Sequence, residues 1–150
     1  MSAVPDDQIE RILAAISTIE ESMGILAEKR SVDRETYKAD RELRDVVERR
    51  FVKMTEAAID VGEELLKHER GRPGGSNPAT MFELTGVGVL SEETADAMAQ
   101  AARFRNVLAH TYGGDIDHDV VYDALLDLER YRAFVVEVRD YLEATGSLES

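Results

Sequence analysis

Between Asp40 and Arg70 the chain reads DRELRDVVERRFVKMTEAAIDVGEELLKHER. Leu43, Val47, Phe51, Met54, Ala58, Val61 and Leu65 recur at steps of three and four, which lines one face of a helix rather than the alternate faces of a strand. Asp40 stands near the start, where a short acidic side chain can accept the first free backbone N–H groups. The spacing predicts one long amphipathic helix. Glu56, Asp60 and Gly62 are unusual beside its apolar stripe. They read first as residues at the stripe's margin or at a helix contact. The second reading makes Glu56 or Asp60 a supporting partner for a site on another helix. His68, beside Arg70, suits the negative end of the helix and takes no chemistry.

The same period extends in both directions. Before it, Ile9, Ile12, Leu13, Ile16, Ile19, Met23 and Leu26 mark another amphipathic helix, with Asp6 or Asp7 as its cap. That pattern fades at Lys29-Arg30-Ser31, and Asp33 is placed to cap a short turn. After it, Gly71-Arg72-Pro73-Gly74-Gly75-Ser76-Asn77-Pro78 is a loop. The loop lacks the Gly-Lys-Ser/Thr ending of a phosphate loop. Thr80 with Glu83 resembles a capping box opening a short turn, and Gly86-Val87-Gly88 breaks the chain again.

Ser91 opens a third long helix, with Glu92 and Glu93 at its positive end. Ala95, Met98, Ala99, Ala102 and Ala109 give it a small-residue face, and Gly113-Gly114 ends it near His110. Asp115, Asp117 and Asp119 alternate like a calcium loop, but Val120 stands where glycine is needed and Leu126 where glutamate is. They are read as a turn and caps. Val121, Leu125, Leu128, Tyr131, Val135, Val138 and Leu142 then carry a fourth helix up to Thr145-Gly146. The expectation is an all-α, antiparallel four-helix bundle with short extra helical turns, forming one domain over residues 1–150.

Composition narrows the classes. In 150 residues there is no cysteine, hence no disulfide framework, thiol nucleophile or cysteine zinc site. No apolar run approaches the roughly 20 residues of a membrane span, and the first residues lack the basic and apolar segments of a signal peptide. A cytoplasmic protein is expected. The net charge is −13, which opposes polyanion binding by bulk electrostatics. An acidic, lysine-poor surface also fits a halophilic source, where salt near 1 M screens charges beyond about 3 Å. Under that reading acidity does not exclude RNA.

The chemistry gathers in Arg105-Asn106-Val107-Leu108-Ala109-His110-Thr111-Tyr112. An arginine suits a phosphate, and a histidine exchanges protons near neutral pH. On one regular helix, however, Arg105 and His110 point about 140° apart, whereas Asn106 shares the face of His110. Either the helix breaks before His110, or two copies of the stretch meet. By geometry alone Arg103, seven before His110, is the better-placed arginine. From spacing alone, a surface arginine and a histidine at a helix end explain the pair without catalysis.

The stretch, with Ile116-Asp117 and Val121-Tyr122 after it and Glu56-Ala57-Ala58-Ile59-Asp60-Val61-Gly62 before it, resembles the signature of HepT-type toxins in the HEPN superfamily. Their motif is Arg, four residues, His, one residue, Tyr, commonly with Asn after the Arg, and it selects Arg105 over Arg103. The resemblance implies a metal-independent endoribonuclease without a cofactor, active as a homodimer with two motifs facing each other. It implies Arg105 and His110 as catalytic residues with Asn106 in support, and the second reading of Glu56 and Asp60 sets those two behind them. It further implies a minimal nucleotidyltransferase (MNT) antitoxin as partner, attaching AMP to Tyr112. A dimer contact is expected near the helix that bears Ala95, Ala99 and Ala102. The alternative is a non-catalytic helical module that binds a nucleotide or docks a nucleotidyltransferase.

Overall fold

The computed structural model describes residues 3–111 and 115–148; Tyr112, Gly113 and Gly114 lie outside them. Among the described residues seven helices follow one another without a strand: α1 (Asp6–Lys29), α2 (Arg34–Ala39), α3 (Arg41–Arg70), α4 (Asn77–Gly86), α5 (Glu92–His110), α6 (His118–Leu126) and α7 (Glu129–Ala144). The all-α expectation holds. α1 lies along α3, α4 covers α5, and α5 packs on both α3 and α7.

Helix α3 forms the middle of this arrangement for the reasons its sequence gives. The Asp40 carboxylate accepts the Leu43 N–H at 3.1 Å, and Gly71, at φ 76°, ends the helix in the left-handed conformation that glycine adopts without strain. Val47, Phe51, Met54, Ala58, Val61 and Leu65 are buried, with Leu43 packed at the edge. Phe51 meets Phe104 of α5 edge-on, with ring centroids 5.4 Å apart, and lies 6.4 Å from the Tyr131 ring of α7. The Thr55 hydroxyl pairs with the Tyr131 hydroxyl at 2.7 Å, satisfying a phenol that is otherwise sealed in the core.

Several local expectations are corrected. Pro5, not Asp6 or Asp7, is the residue before α1; its carbonyl accepts the Ile9 N–H at 2.9 Å. The two aspartates lie in the first turn, where the helix dipole favours them. Ser76 caps α4 by accepting from the Ala79 N–H, so the loop ends earlier than Thr80, whose hydroxyl donates back to the Ser76 carbonyl. The fourth helix is two: Asp127, at φ −129° and ψ 85°, separates α6 from α7. Aspartate competes with the helical backbone for hydrogen bonds. The break preserves the apolar stripe, since Leu125, Leu128 and Tyr131 on both sides are all buried. Leu13, on the expected stripe of α1, stays 38% exposed.

The small-residue face of α5 divides. Ala95, Ala99 and Ala102 are buried within the chain, whereas Ala109 is exposed. These three therefore pack against neighbouring helices of the same chain, and the exposed side of α5 is what remains for a second copy to meet.

Gly62 is explained by a crossing. A Cβ there would stand 2.9 Å from Thr80 Cγ2 and 3.0 Å from Leu84 Cδ1 of α4. Gly62→Leu should lower the thermal midpoint, with an overpacking cost of about 1–3 kcal/mol. Gly24, whose Cβ would meet nothing within 4 Å, is the control. Gly24→Ala should instead stabilise by about 0.5–1 kcal/mol.

Candidate functional site

Helix α5 is fixed at both ends. The Ser91 hydroxyl accepts the Thr94 N–H at 3.2 Å, and Glu137 of α7 accepts from the Ser91 N–H and the Thr94 hydroxyl. At the far end the Thr111 N–H bonds the Val107 carbonyl at 3.0 Å, and the helix runs unbroken through His110. The possibility that it breaks before His110 is thereby removed. Five residues at about 100° and 1.5 Å each leave Arg105 and His110 some 140° and 7.5 Å apart on the helix. The two side chains leave the helix on different sides.

Arg105 is held. Its Nη2 donates to Glu56 Oε1 at 2.6 Å and its Nη1 to Asn106 Oδ1 at 2.9 Å. Four-fifths of the side chain is buried, and its Nε is buried without a hydrogen-bond partner. Helix α3 thus supplies, five residues past the Phe51–Phe104 contact, the carboxylate that orients the guanidinium. Asn106 bonds Arg105 and lies one turn before His110 on the same helix. His110 and Arg103 are exposed. His110 makes no hydrogen bond or ion pair among the described residues, so its imidazole is open to a ligand. Tyr112 falls outside the described residues.

Around Arg105 is a hollow of about 230 Å³ lined by Glu56, Ile59, Asp60, Glu63, Asn77 and Arg105. Asp60 also borders two neighbouring hollows between α1 and α3. Desolvation, then the Glu56 and Glu64 carboxylates, push Asp60 above the usual carboxylate range. Sequence reasoning missed Glu63 and Asn77. Asn77 follows the Ser76 cap at the end of the glycine-rich loop, and no spacing rule connects it to residues on α3.

A second polar group gathers where α2, α3 and α6 meet. Arg34 bonds Asp119 and Asp123, Lys38 bonds Asp119, and His118 Nδ1 lies 3.9 Å from Glu48. Burial and then Arg44 hold His118 below its ordinary range. The Asp117 carboxylate caps α6, so Asp117 and Asp119 serve as cap and ion-pair partner. Among the described residues no three His, Cys, Asp or Glu side chains are grouped to hold a metal. No helix there is long and apolar enough to cross a membrane.

With this geometry in view, comparison with known proteins is informative. A family model described as Ribonuclease HepT-like matches residues 9–138. A curated relative, the tRNA nuclease HepT of Aphanizomenon flos-aquae (strain 2012/KM1/D3), is 28% identical over 113 residues, 75% of this chain and 76% of that protein. Among solved structures, a tri-AMPylated Shewanella oneidensis HEPN toxin in complex with MNT antitoxin superposes with a TM-score of 0.78 at 19% identity. That match covers 87% of this chain and 97% of the other. The Bacillus subtilis cytosolic protein YutE, of unknown function, gives 0.68 at 20% identity over 89% of this chain and 94% of its own. At these identities the structural matches speak for the fold.

Proposed function

The chain belongs to the HepT-like ribonuclease family of the HEPN superfamily, and on that footing we propose that it is the toxin of a toxin–antitoxin pair: a metal-independent endoribonuclease using Arg105 and His110. The observation that carries the reading is the posture of Arg105. A mostly buried guanidinium, braced by Glu56 and Asn106 yet keeping a free Nε, stands on the same helix as an unengaged imidazole.

In the proposed reaction His110 takes the proton from a ribose 2′-hydroxyl, whose oxygen attacks the adjoining phosphorus. Arg105 stabilises the charge growing on the phosphoryl oxygens. The phosphorus–O5′ bond breaks, O5′ takes a proton, and a 2′,3′-cyclic phosphate remains. One histidine cannot be base and acid in the same step, and Arg105 and His110 leave the unbroken helix on different sides, about 140° apart. A two-fold homodimer with two motifs facing each other answers both needs. The exposed Ala109 and Val107 beside His110 leave that end of α5 open to a second copy. Asn106 orients Arg105, Glu56 braces it, and Asp60 lies behind both.

The proposed partner is a minimal nucleotidyltransferase antitoxin that transfers AMP from ATP to the Tyr112 hydroxyl, releasing pyrophosphate. This reading draws support from the solved relative, an AMPylated toxin bound to such an antitoxin. A phosphodiester so near Arg105 in sequence would compete with RNA for the guanidinium. The experiment incubates the chain with its partner and ATP, maps the modified peptide, and then measures RNA cleavage. AMP on Tyr112 with loss of cleavage is expected, and Tyr112→Phe should keep cleaving. Modification at another residue, or a modified protein that still cuts, refutes this step.

A further inference from the structure

The hollow beside Arg105 has a chemistry that phosphate binding does not use. A phosphate held by Arg105 places its own nucleotide next to that hollow. Besides Arg105 and Glu56 the walls carry Asp60, Glu63 and Asn77, none of which makes a side-chain hydrogen bond or ion pair among the described residues. Ile59 is the apolar wall. Glu56 is engaged by Arg105, so the free acceptors are the Asp60 and Glu63 carboxylates, and the free donor is the Asn77 amide.

Ionised carboxylates accept hydrogen bonds and donate none, while a side-chain amide does both. Phosphate oxygens are repelled by such walls. A base edge rich in N–H groups is attracted, and single-stranded RNA is read through such splayed base edges. Guanine presents two adjacent donors, N1–H and the N2 amine, one for each of the two carboxylates. Its neighbouring O6 accepts from an amide N–H. Uracil offers one N–H between two carbonyl oxygens, so carboxylates face like partial charge on both sides. Adenine and cytosine offer one amine each. The hollow also lies where a strongly acidic chain can still gain from RNA, since base edges, unlike the backbone, carry donors.

Resting on the ribonuclease reading above, we infer that Asp60, Glu63 and Asn77 form a base-reading subsite selecting guanine at the nucleotide next to the scissile phosphate. Asp60 and Glu63 take the N1–H and N2 amine, and the Asn77 amide donates to O6. Desolvation and the neighbouring Glu56 and Glu64 carboxylates disfavour the Asp60 charge, and donors from a base edge would relieve that cost.

The test uses three short RNAs: uridine throughout, the same with one central guanosine, and the same with one central inosine, which lacks the N2 amine. Cleavage is followed with the wild-type protein. Binding is followed separately by fluorescence anisotropy with the His110→Ala protein, which does not depend on cutting. Guanosine should be favoured over inosine and uridine by about tenfold in both assays, the worth of one bidentate base contact. Glu63→Gln should shrink the guanosine-to-inosine ratio towards one and Asp60→Asn the guanosine-to-uridine ratio, each with an unchanged helical circular-dichroism signal. Cleavage that treats the three RNAs alike overturns the guanine subsite and leaves the ribonuclease reading standing. Guanosine-selective binding without any cleavage overturns the ribonuclease reading and leaves the subsite standing. Equal binding of all three RNAs, or ratios that both variants leave unaltered, overturns the subsite.

Discussion

His110→Ala and Arg105→Ala should each lower RNA cleavage by about a hundredfold or more and abolish growth inhibition, with the helical circular-dichroism signal unchanged. Removing a general base costs about 10²–10⁴-fold, and removing a charge-stabilising donor about 10²–10³-fold. The two effects have different physical origins. His110 is exposed at the last turn of α5, so its removal costs proton transfer and no packing. Arg105 is mostly buried, and its loss leaves Glu56 without a partner. Glu56 keeps nearly half of its side chain in solvent, which limits the cost of leaving it unpaired. Arg103→Ala, on an exposed side chain outside the motif, should cleave nearly as wild type. Mixing Arg105→Ala with His110→Ala chains should restore part of the activity if each site draws on two copies. A monomer that retains full activity would refute the shared site.

The largest expected loss of stability is at Phe51→Ala. Phe51 is fully buried between the Phe104 and Tyr131 rings, and so joins α3 to α5 and α7. Truncating a buried phenylalanine costs about 3–5 kcal/mol, which for a chain of this size lowers the thermal midpoint by about 10 °C. Phe51→Leu should lose much less. A Phe51→Ala protein that melts with the wild type would show that the three helices are not joined there.

The helical frame was legible because burial imposes its period on the sequence. The stripe from Leu43 to Leu65 forecast α3, and Ser91 forecast the start of α5, because both signals are local. Misreadings arose where two local signals competed. Thr80–Glu83 satisfied the capping pattern, but Ser76 reached the free N–H groups first. The Asp127 break stayed hidden because the apolar residues keep their spacing across it. Burial of Ala95, Ala99 and Ala102 beneath neighbouring helices could not be told from exposure on an interface, since small residues serve both. The candidate site was legible along α5 and, on α3, in Glu56 and Asp60, whose polarity beside an apolar stripe marked them as partners for another helix. That Glu56 reaches Arg105 depends on the register between α3 and α5, set by Phe51 against Phe104, and no spacing within either helix encodes it. Glu63 and Asn77 enter through the same tertiary fact.

The most direct test of the proposed chemistry is the end group left on cleaved RNA. Attack by the substrate's own 2′-hydroxyl predicts that wild-type protein, in excess EDTA, cuts RNA and leaves a 2′,3′-cyclic phosphate with a 5′-hydroxyl on the other fragment, and that His110→Ala leaves neither. A 3′-hydroxyl product, or activity lost on chelation and regained with added metal, would contradict the account.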